Sequence, residues 1–259
     1  MEVGSPTVGA LLRQWRERRR LSQLELSHQA EVSTRHLSYI ETGRSRPTPE
    51  MIVRLAEHLE VPLRARNELL LSGGYAPRYR ARPPEDASLS AVMTGLRGLL
   101  DAHLPSPALL LDEHWDVVDA NAAVDLLLAG CDAELLEPPV NAVRVSLHPG
   151  GLAPRIRNLG QWANHLHHQV SHRAEQTHDP ALLALAREIR SLVPLPAGSS
   201  PGPEPVLVLE LEAGTQLLRL FTVAARLETA RDTTLDGLHL ETFLPADAGT
   251  AAALRNAAS

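Results

Sequence analysis

The sequence is poor in cysteine and in aromatic residues and has no lysine. Its one cysteine, Cys131, excludes an intramolecular disulfide and a zinc site built of cysteines, and it favours a reducing compartment. The sequence also lacks an export signal at its N-terminus and any run of about eighteen apolar residues, the length that a membrane-spanning helix needs. We therefore expect a soluble cytoplasmic protein.

Motifs of common enzyme classes are also missing. The chain has no GxSxG nucleophile motif, no glycine-rich phosphate loop and no HExxH zinc motif. We therefore expect a protein that is not an enzyme and that has no cofactor and no metal site.

The two parts of the chain carry charge of opposite sign. Residues 1–80 hold 13 arginines against nine glutamates, whereas residues 81–259 hold 12 arginines against 22 acidic residues. A basic segment joined to an acidic one is typical of a module that binds a polyanion, attached to a domain with another partner.

Helical periodicity and capping residues divide the basic segment into five short helices. Apolar residues recur at helical spacing over about residues 7–19. Ser22 and Glu25 form a capping box, Ser33 begins a third helix that stops at Gly43, and Thr48-Pro49 begins a fourth. A fifth helix is expected over 64–71. We therefore predict an all-helical domain over residues 1–74.

The second and third of these helices are short and joined by a tight turn, as in a helix-turn-helix that places a helix in the major groove of DNA. A plain helical bundle would also explain the apolar positions, but not the polar face formed by Thr34, Arg35 and Ser38. These residues lie near the start of the third helix, where side chains reach base edges, and arginine can bind guanine through two hydrogen bonds.

The stretch SQLELSHQAEVSTRHLSYIETGRSRPTPEMIVRLAEHLEVP resembles the helix-turn-helix of the XRE/Cro family of bacterial and phage repressors. The resemblance implies that Gln23 bridges phosphate and base, that Ser33, Thr34, Arg35 and Ser38 form the base-reading region, and that Arg44 and Arg46 contact phosphates. It also implies a buried ion pair between Arg16 and Glu41. Glu31 and Val32 occupy a turn in which many members of the family have glycine.

The segment GGYAPRYRARPPED has no apolar periodicity, so we predict a linker over 75–86 and a second domain over 87–246. In that domain the runs 108–112 and 115–120 predict a hairpin, and Asn121 is expected to cap a short helix to Leu128. Helices are expected over 155–176 and 180–192, followed by a proline-rich loop at 194–205. Three strand-like runs come next, VLVLELE, LLRLFTVAARL and LHLETFL. Residues 247–259 are expected to form a flexible tail.

The segments PALLLDEHWDVVDANAA and NAVRVSLHPGGLAPRIRNLGQWANHL, in this order of domains, resemble the MmyB-like transcription regulators. The resemblance implies an α+β protein whose second domain is PAS-like, with an antiparallel sheet around a pocket that holds a fatty acid. It further implies a regulator that binds a DNA operator, which we expect to be an inverted repeat bound by a homodimer.

Candidate wall residues of such a pocket are mainly apolar or aromatic, and two polar ones could meet an anionic head group. They are Leu109, Leu111, Trp115, Leu147, Trp162, Leu166 and Phe221, with Arg144 and His148 as the polar pair. Each also has a simpler interpretation, because aromatic side chains are core residues in most proteins and Arg and His commonly face solvent.

Two alternatives for the second domain remain open. His165, His168 and His172 recur at spacings of three and four, and imidazoles on one helix face can bind zinc or nickel, which would make a metal-responsive regulator. No carboxylate or cysteine lies between His165 and His172, so a polar helix face is the favoured interpretation. The domain could also serve only for dimerisation or for binding a protein partner.

Overall fold

The computed structural model describes residues 6–177, 179–194 and 205–257. Most of the predicted proline-rich loop at 194–205 lies outside the described residues. The chain divides into two compact units. The first comprises residues 1–82 together with 229–236, and the second comprises residues 83–228 and 237–259.

The first unit contains the five predicted helices. They are α1 (Val8–Arg18), α2 (Gln23–Gln29), α3 (Thr34–Glu41), α4 (Pro49–His58) and α5 (Leu63–Ser72). The capping box is present, because the Ser22 hydroxyl accepts from the Glu25 amide and the Glu25 carboxylate accepts from the Ser22 amide. Ser33 and Thr48 cap α3 and α4. Local capping chemistry thus defines where these helices begin.

Close backbone packing and a buried ion pair fix α3 against α1. Gly9 lies so near the carbonyl of Ile40 that a Cβ atom at Gly9 would collide with it. The Arg16 guanidinium donates to both carboxylate oxygens of Glu41, at 2.6 and 2.9 Å, and both residues are buried. The ion pair implied by the family resemblance is present, and it holds the C-terminal end of α3.

The turn between α2 and α3 contains a residue in the left-handed region. Glu31 has φ +54°, a conformation that favours glycine and costs roughly 1–2 kcal/mol for other residues. Glu31 lies in the turn for which the family resemblance implies glycine, and the chain makes a left-handed turn there with a less suited residue.

Residues 229–236 also belong to the first unit, although they follow residues of the second unit in sequence. The Leu63 amide donates to the Asp236 carboxylate at 2.9 Å, and Arg82 pairs with Asp232 at 3.1 Å. The Thr233 amide donates to the Arg80 carbonyl at 2.8 Å. This segment therefore continues the first unit beyond the single stretch 1–74 that was expected.

The second unit combines helices with a sheet, as predicted. Its helices are α6 (Ser90–Ala102), α7 (Val124–Leu128), α8 (Ala142–Leu147), α9 (Leu159–Thr177), α10 (Pro180–Leu192) and α12 (Ala248–Ala257), and α11 (Thr233–Gly237) begins in the first unit. Its strands are β1 (Ala108–Leu111), β2 (Val117–Ala120), β3 (Leu209–Ala213), β4 (Gln216–Arg226) and β5 (His239–Pro245).

The five strands form one antiparallel sheet in the order β2-β1-β5-β4-β3. Leu109 of β1 lies opposite Glu241 of β5, and Thr222 of β4 lies opposite Phe243. Because side chains alternate along a strand, these four residues share one face of the sheet. That face packs on the core to which α7, α8, α9 and α10 contribute.

Four details of the second unit differ from the sequence predictions. Asn121 does not cap α7. It is buried, and its side chain accepts from the Ala108 amide and donates to two carbonyl groups in the segment before β1. The segment NAVRVSLH, for which no helix or strand was predicted, contains helix α8, capped by Asn141. The long helix begins at Leu159 rather than near residue 155.

The fourth difference is the expected flexible tail, which instead contains α12. Its Leu254 and Thr250 are buried, and the Thr250 hydroxyl accepts from the Arg219 amide of β4. The stretch is rich in alanine, the residue with the highest helix propensity. Leu254 joins the core of the second unit.

The turn of the β1–β2 hairpin is clamped to the start of α10 by a histidine. The Asp112 carboxylate accepts from the amides of His114 and Asp116, and the His114 ring bonds Asp179 at 2.8 Å. Hydrogen bonding and charge from Asp112 and Asp179 raise the pKa of His114 to about 9. Asp179 is also the N-cap of α10.

Glu31→Gly is expected to stabilise the protein by about 0.5–1 kcal/mol, because glycine adopts the left-handed turn without strain and loses part of that gain to its greater freedom when unfolded. Denaturant unfolding measures the change. Glu68→Gly, within α5, is the matched control and should destabilise by about 1 kcal/mol. A loss of stability in Glu31→Gly would contradict the proposed strain.

His114→Gln should destabilise the protein more at pH 6 than at pH 9.5. Because the folded-state pKa lies above the ordinary value of 6.5, the histidine's contribution is fully present below pH 6.5 and is lost as pH rises through about 9. Melting curves of wild type and variant at both pH values give the difference. Equal destabilisation at both values would show that the charge on His114 contributes nothing.

Candidate DNA-binding surface and ligand cavity

The helix-turn-helix is held together by polar side chains that connect its helices. The hydroxyl groups of Ser27 and Thr34 lie 2.8 Å apart and join α2 to α3. The Gln23 amide donates to the Glu41 carboxylate at 2.8 Å. Gln23 thus bonds the same carboxylate as Arg16, and the start of α2 is fixed relative to the end of α3.

An aromatic ring between two arginines marks the exposed face of α3. The Arg35 guanidinium lies 5.4 Å from the Tyr39 ring centre and donates to its hydroxyl at 3.0 Å. The Arg44 guanidinium lies 5.9 Å from the same ring. Arg35 and Arg44 are exposed, while Thr34 and Ser38 are partly buried. Two positive charges are therefore positioned together, whereas sequence reasoning had not singled out Tyr39.

Arg46, the second arginine predicted to contact phosphate, already has partners within the first unit. It donates to the Gly73 carbonyl at 2.8 Å, and its guanidinium lies 5.2 Å from the Tyr75 ring centre. The structure thus ties the loop after α3 to the end of α5 through Arg46. Its side chain is exposed enough to contact a phosphate as well.

The second unit contains a cavity of about 360 Å³ between the sheet and the helices. This volume lies in the range of roughly 300–1,000 Å³ that is typical of small-molecule sites. The apolar residues lining it include Leu109, Trp115, Val117, Val124, Leu127, Val143, Val145, Trp162, Leu166, Leu209 and Phe243. Its wall is therefore mainly hydrocarbon and aromatic.

Trp115 enters this wall from a strained backbone position. Its φ is +65°, which is rare for a bulky residue. Its ring lies edge-on to that of His239, with centroids 5.8 Å apart, and is buried. Burial and the nearby arginines Arg173 and Arg226 lower the pKa of His239 to about 4, so this imidazole is neutral.

The structure brings four of the predicted pocket residues together and places the others elsewhere. Leu109, Trp115, Trp162 and Leu166 line the cavity. Leu111 and Leu147 are core residues, and Phe221 lies on the opposite face of the sheet from Phe243.

The predicted head-group pair is also outside the lining. Arg144 forms a two-pronged ion pair with Glu188, and the His148 ring accepts from the Gly150 amide. Since neither residue is among the described residues that line the cavity, the structure does not support their use as partners of an anionic head group.

Glu241 is a cavity residue that sequence reasoning missed. It lies on β5, is 9% exposed and lines the cavity beside Phe243. Burial raises its pKa to about 7, with a hydrogen bond from Thr222 acting in the opposite direction. In the run LHLETFL, Glu241 and Phe243 are two positions apart. Because side chains alternate along a strand, this spacing indicated that both lie on the same face.

The histidines of α9 do not form a metal site in the described structure. Glutamine and serine side chains one turn away approach three of their rings, as in the pairs His165–Gln169, His167–Ser171 and His172–Gln176. No group of three or more His, Cys, Asp or Glu side chains within residues 6–177, 179–194 and 205–257 could hold a metal ion. Burial lowers the pKa of His165 and His167.

Over these same ranges, none of the helices is both long and apolar enough to cross a membrane.

Comparison with protein-family models gives two matches. The MmyB-like transcription regulator ligand binding domain matches residues 92–257, and a helix-turn-helix domain matches residues 7–69. The search of curated proteins found no match. The first model covers the sheet, the cavity and α12, and the second covers the helices that carry the Arg35–Tyr39–Arg44 group. With a helix-turn-helix unit ahead of this domain, the chain belongs to the MmyB-like transcription regulators.

Proposed function

We propose that the protein binds a specific DNA operator through α3 and that an apolar or amphipathic molecule in the cavity of the second unit changes its affinity for that operator. The cavity between the sheet and α8 and α9 is the observation that carries this proposal. A packed domain used only for dimerisation would have no need of a space of this size lined by hydrocarbon.

In the helix-turn-helix, Thr34, Arg35 and Ser38 contact the bases of the operator, with Ser33 at the start of the helix. Arg44, at the other side of Tyr39, contacts a phosphate. Arginine next to a base edge supplies sequence specificity, while arginine on phosphate supplies affinity that depends on salt. A cytoplasmic location follows from a chromosomal target.

We propose that Gln23 and Arg46 contact DNA while they are also held by hydrogen bonds within the first unit. Each is bonded within the first unit, to Glu41 and to the Gly73 carbonyl respectively. A side chain that is already held by a neighbour loses less conformational freedom when it also contacts DNA. Both residues therefore fix the positions of α2 and the following loop against the phosphate backbone.

On the ligand side, the cavity favours a molecule with a hydrocarbon part, fatty-acid-like in length and shape. The wall offers many apolar contacts and few polar groups, so burial of hydrocarbon would supply most of the binding free energy, at about 25 cal/mol per Å². Trp115 and Trp162 both line the cavity and give an intrinsic fluorescence signal for its occupancy.

The regulatory step requires that the ligand bind two arrangements of the protein with different affinity, because equal binding to both would shift nothing. We propose that the protein acts as a homodimer on an inverted repeat. One helix-turn-helix covers a half-site, and two half-sites about 34 Å apart are read together. Ligand binding would then alter how well two copies of α3 match that spacing.

Arg35→Ala is expected to weaken operator binding by ~1–3 kcal/mol and to relax sequence preference, whereas Arg44→Ala should weaken binding to all DNA alike and reduce the salt dependence. Electrophoretic titrations on selected and on random DNA at several salt concentrations measure both effects. Arg187→Ala, an exposed arginine on α10, is the control and should change neither. Equal losses on operator and random DNA for Arg35→Ala would contradict the assignment.

Ala120→Trp is expected to fill the cavity, because Ala120 lines it and lies opposite Leu109. Native mass spectrometry and organic extraction of the purified wild type should release an apolar molecule, which the variant lacks. Adding a long-chain fatty acid should change the operator affinity of the wild type by about fivefold or more, and that of the variant not at all.

Ala225→Trp is the matched control, since Ala225 is exposed on β4 and is not among the described lining residues. This variant should bind ligand and respond to it as the wild type does. A wild-type protein that carries nothing apolar, takes up nothing apolar and keeps one operator affinity throughout would refute ligand sensing. The second unit would then be a dimerisation or partner-binding module.

A further inference from the structure

The segment that follows α5 is held against the loop that follows α3. The Arg46 guanidinium, in that loop, donates to the Gly73 carbonyl at 2.8 Å and lies 5.2 Å from the Tyr75 ring centre. The Tyr75 hydroxyl in turn donates to the Pro47 carbonyl at 2.9 Å. Residues 73–75 therefore lie directly beside the loop that we propose to contact phosphates.

The residues that come next are fixed on α5. The Asn67 side chain accepts from the amides of Arg78 and Tyr79, both at 3.0 Å, and donates to the Tyr79 carbonyl at 2.7 Å. The Arg66 guanidinium lies 5.9 Å from the Tyr79 ring centre. The backbone at these positions is thus held in place, although the segment is rich in glycine, proline and arginine, as flexible connections are.

This fixed segment presents positive charge to solvent. Residues 73–80 include Arg78 and Arg80 and no acidic residue, and both arginines are exposed. Among the residues that the structure describes, neither of the two has a carboxylate partner, whereas Arg66 pairs with Glu57. The two cations are therefore available to an anion outside the protein.

Arg78 lies close to the phosphate-contacting loop. It follows Tyr75 by three residues, and three fully extended residues span at most about 10 Å. Each strand of double-stranded DNA carries a phosphate about every 3.4 Å along the helix axis. The backbone of Arg78 is thus separated from that of Tyr75, beside the loop, by no more than about the length of three base-pair steps.

We propose that residues 76–80 form a second DNA contact, in which Arg78 binds a backbone phosphate next to those contacted by the loop after α3. Arg80 adds to the positive potential of this surface. The inference rests on the proposed DNA binding by α3 and deepens it, because it assigns part of the contact to a segment outside the helix-turn-helix. Residues 76–80 lie outside both ranges matched by the family models, 7–69 and 92–257.

The chemistry of this contact determines what it contributes. A phosphate contact is independent of base sequence, and its strength falls as salt rises because bound counterions are released from the DNA. Asn67 is a positioning residue in this arrangement. A segment whose backbone Asn67 already fixes loses less conformational freedom when Arg78 meets the phosphate.

Arg78→Ala in the full-length protein tests the contact directly. Its affinity for operator and for random DNA should fall by the same factor, about three- to tenfold at roughly 0.1 M salt. The plot of log affinity against log salt concentration should become less steep by about one, which corresponds to one lost phosphate contact. Electrophoretic titrations at several salt concentrations measure both, and circular dichroism checks that the variant is folded.

Two further variants separate the charge from its placement. Arg78→Lys keeps the positive charge and should restore the wild-type salt dependence. Asn67→Ala leaves Arg78 in the chain but removes the three hydrogen bonds that fix residues 78 and 79, so it should reduce affinity and salt dependence in the direction of Arg78→Ala. A purely structural role of Asn67 would lower the melting temperature without changing the salt dependence.

The site of the contact can be read by hydroxyl-radical footprinting on the operator. The wild type should protect backbone positions that Arg78→Ala leaves open, within about three base pairs of those protected by the loop after α3. Arg187→Ala, which removes an exposed arginine from α10, is the control of equal charge and should match the wild type in affinity, salt dependence and footprint.

The outcomes separate this inference from the proposed function on which it rests. If the folded wild type binds neither operator nor random DNA, both ideas fail. If it binds the operator and Arg35→Ala relaxes sequence preference, while Arg78→Ala matches the wild type in salt dependence and footprint, α3 reads DNA and the role of Arg78 is wrong. Loss of affinity for the operator alone in Arg78→Ala would also overturn a contact to phosphate.

Discussion

The buried ion pair between Arg16 and Glu41 is the interaction on which the geometry of the helix-turn-helix depends. Three helices meet at one carboxylate, since α1 contributes Arg16, α2 contributes Gln23 and α3 contributes Glu41 itself. Loss of one partner from a buried pair leaves an uncompensated charge, which typically costs about 3–5 kcal/mol. This network, together with the close contact at Gly9, fixes α3, which carries Arg35 and is followed by the loop that carries Arg44.

In the second unit, helices cover the apolar face of the sheet but leave a cavity between the sheet and the helices. Helices α8 and α9 contribute apolar side chains, and the wall closes around a space rather than around more core. Interiors of proteins are normally packed as densely as organic crystals, so the side chains around an apolar space of this size lack contacts that a filled core would give them. The strained backbone of Trp115 lies in the same wall, as expected where a site rather than stability determines the structure.

Sequence patterns predicted the parts of the fold that local chemistry determines. Serine and threonine caps gave the starts of α2, α3 and α4, and the two apolar runs around Glu113-His114 gave the hairpin of β1 and β2. Features that depend on tertiary contacts were not predictable in this way. Asparagine is a common helix cap, but the main-chain groups that Asn121 bonds lie up to 21 residues away in the sequence. Likewise, α12 is fixed by contacts with the sheet.

The candidate sites show the same division. Arg35 and Arg44 follow from motif positions, whereas their common neighbour Tyr39 becomes evident only from the distances. For the cavity, Leu109 was chosen from the apolar run of β1 and lines the wall. Arg144, chosen as a head-group partner, instead pairs with Glu188 of α10, a contact that cannot be read from sequence. Glu241 was overlooked because its place in the cavity wall depends on the order of the strands in the sheet, which the sequence does not show.

The inclusion of residues 229–236 in the first unit means that the chain passes from one unit to the other three times, after residues 82, 228 and 236. The DNA-binding unit is therefore not encoded by one uninterrupted stretch of the gene. A shortened gene that ends at residue 82 would yield five helices without Asp232 and Asp236, and so without the partners of Arg82 and of the Leu63 amide. The strands on either side of this segment, β4 and β5, are the two that bear Thr222 and Glu241. A transfer of residues 1–82 alone would therefore leave one segment of the first unit behind.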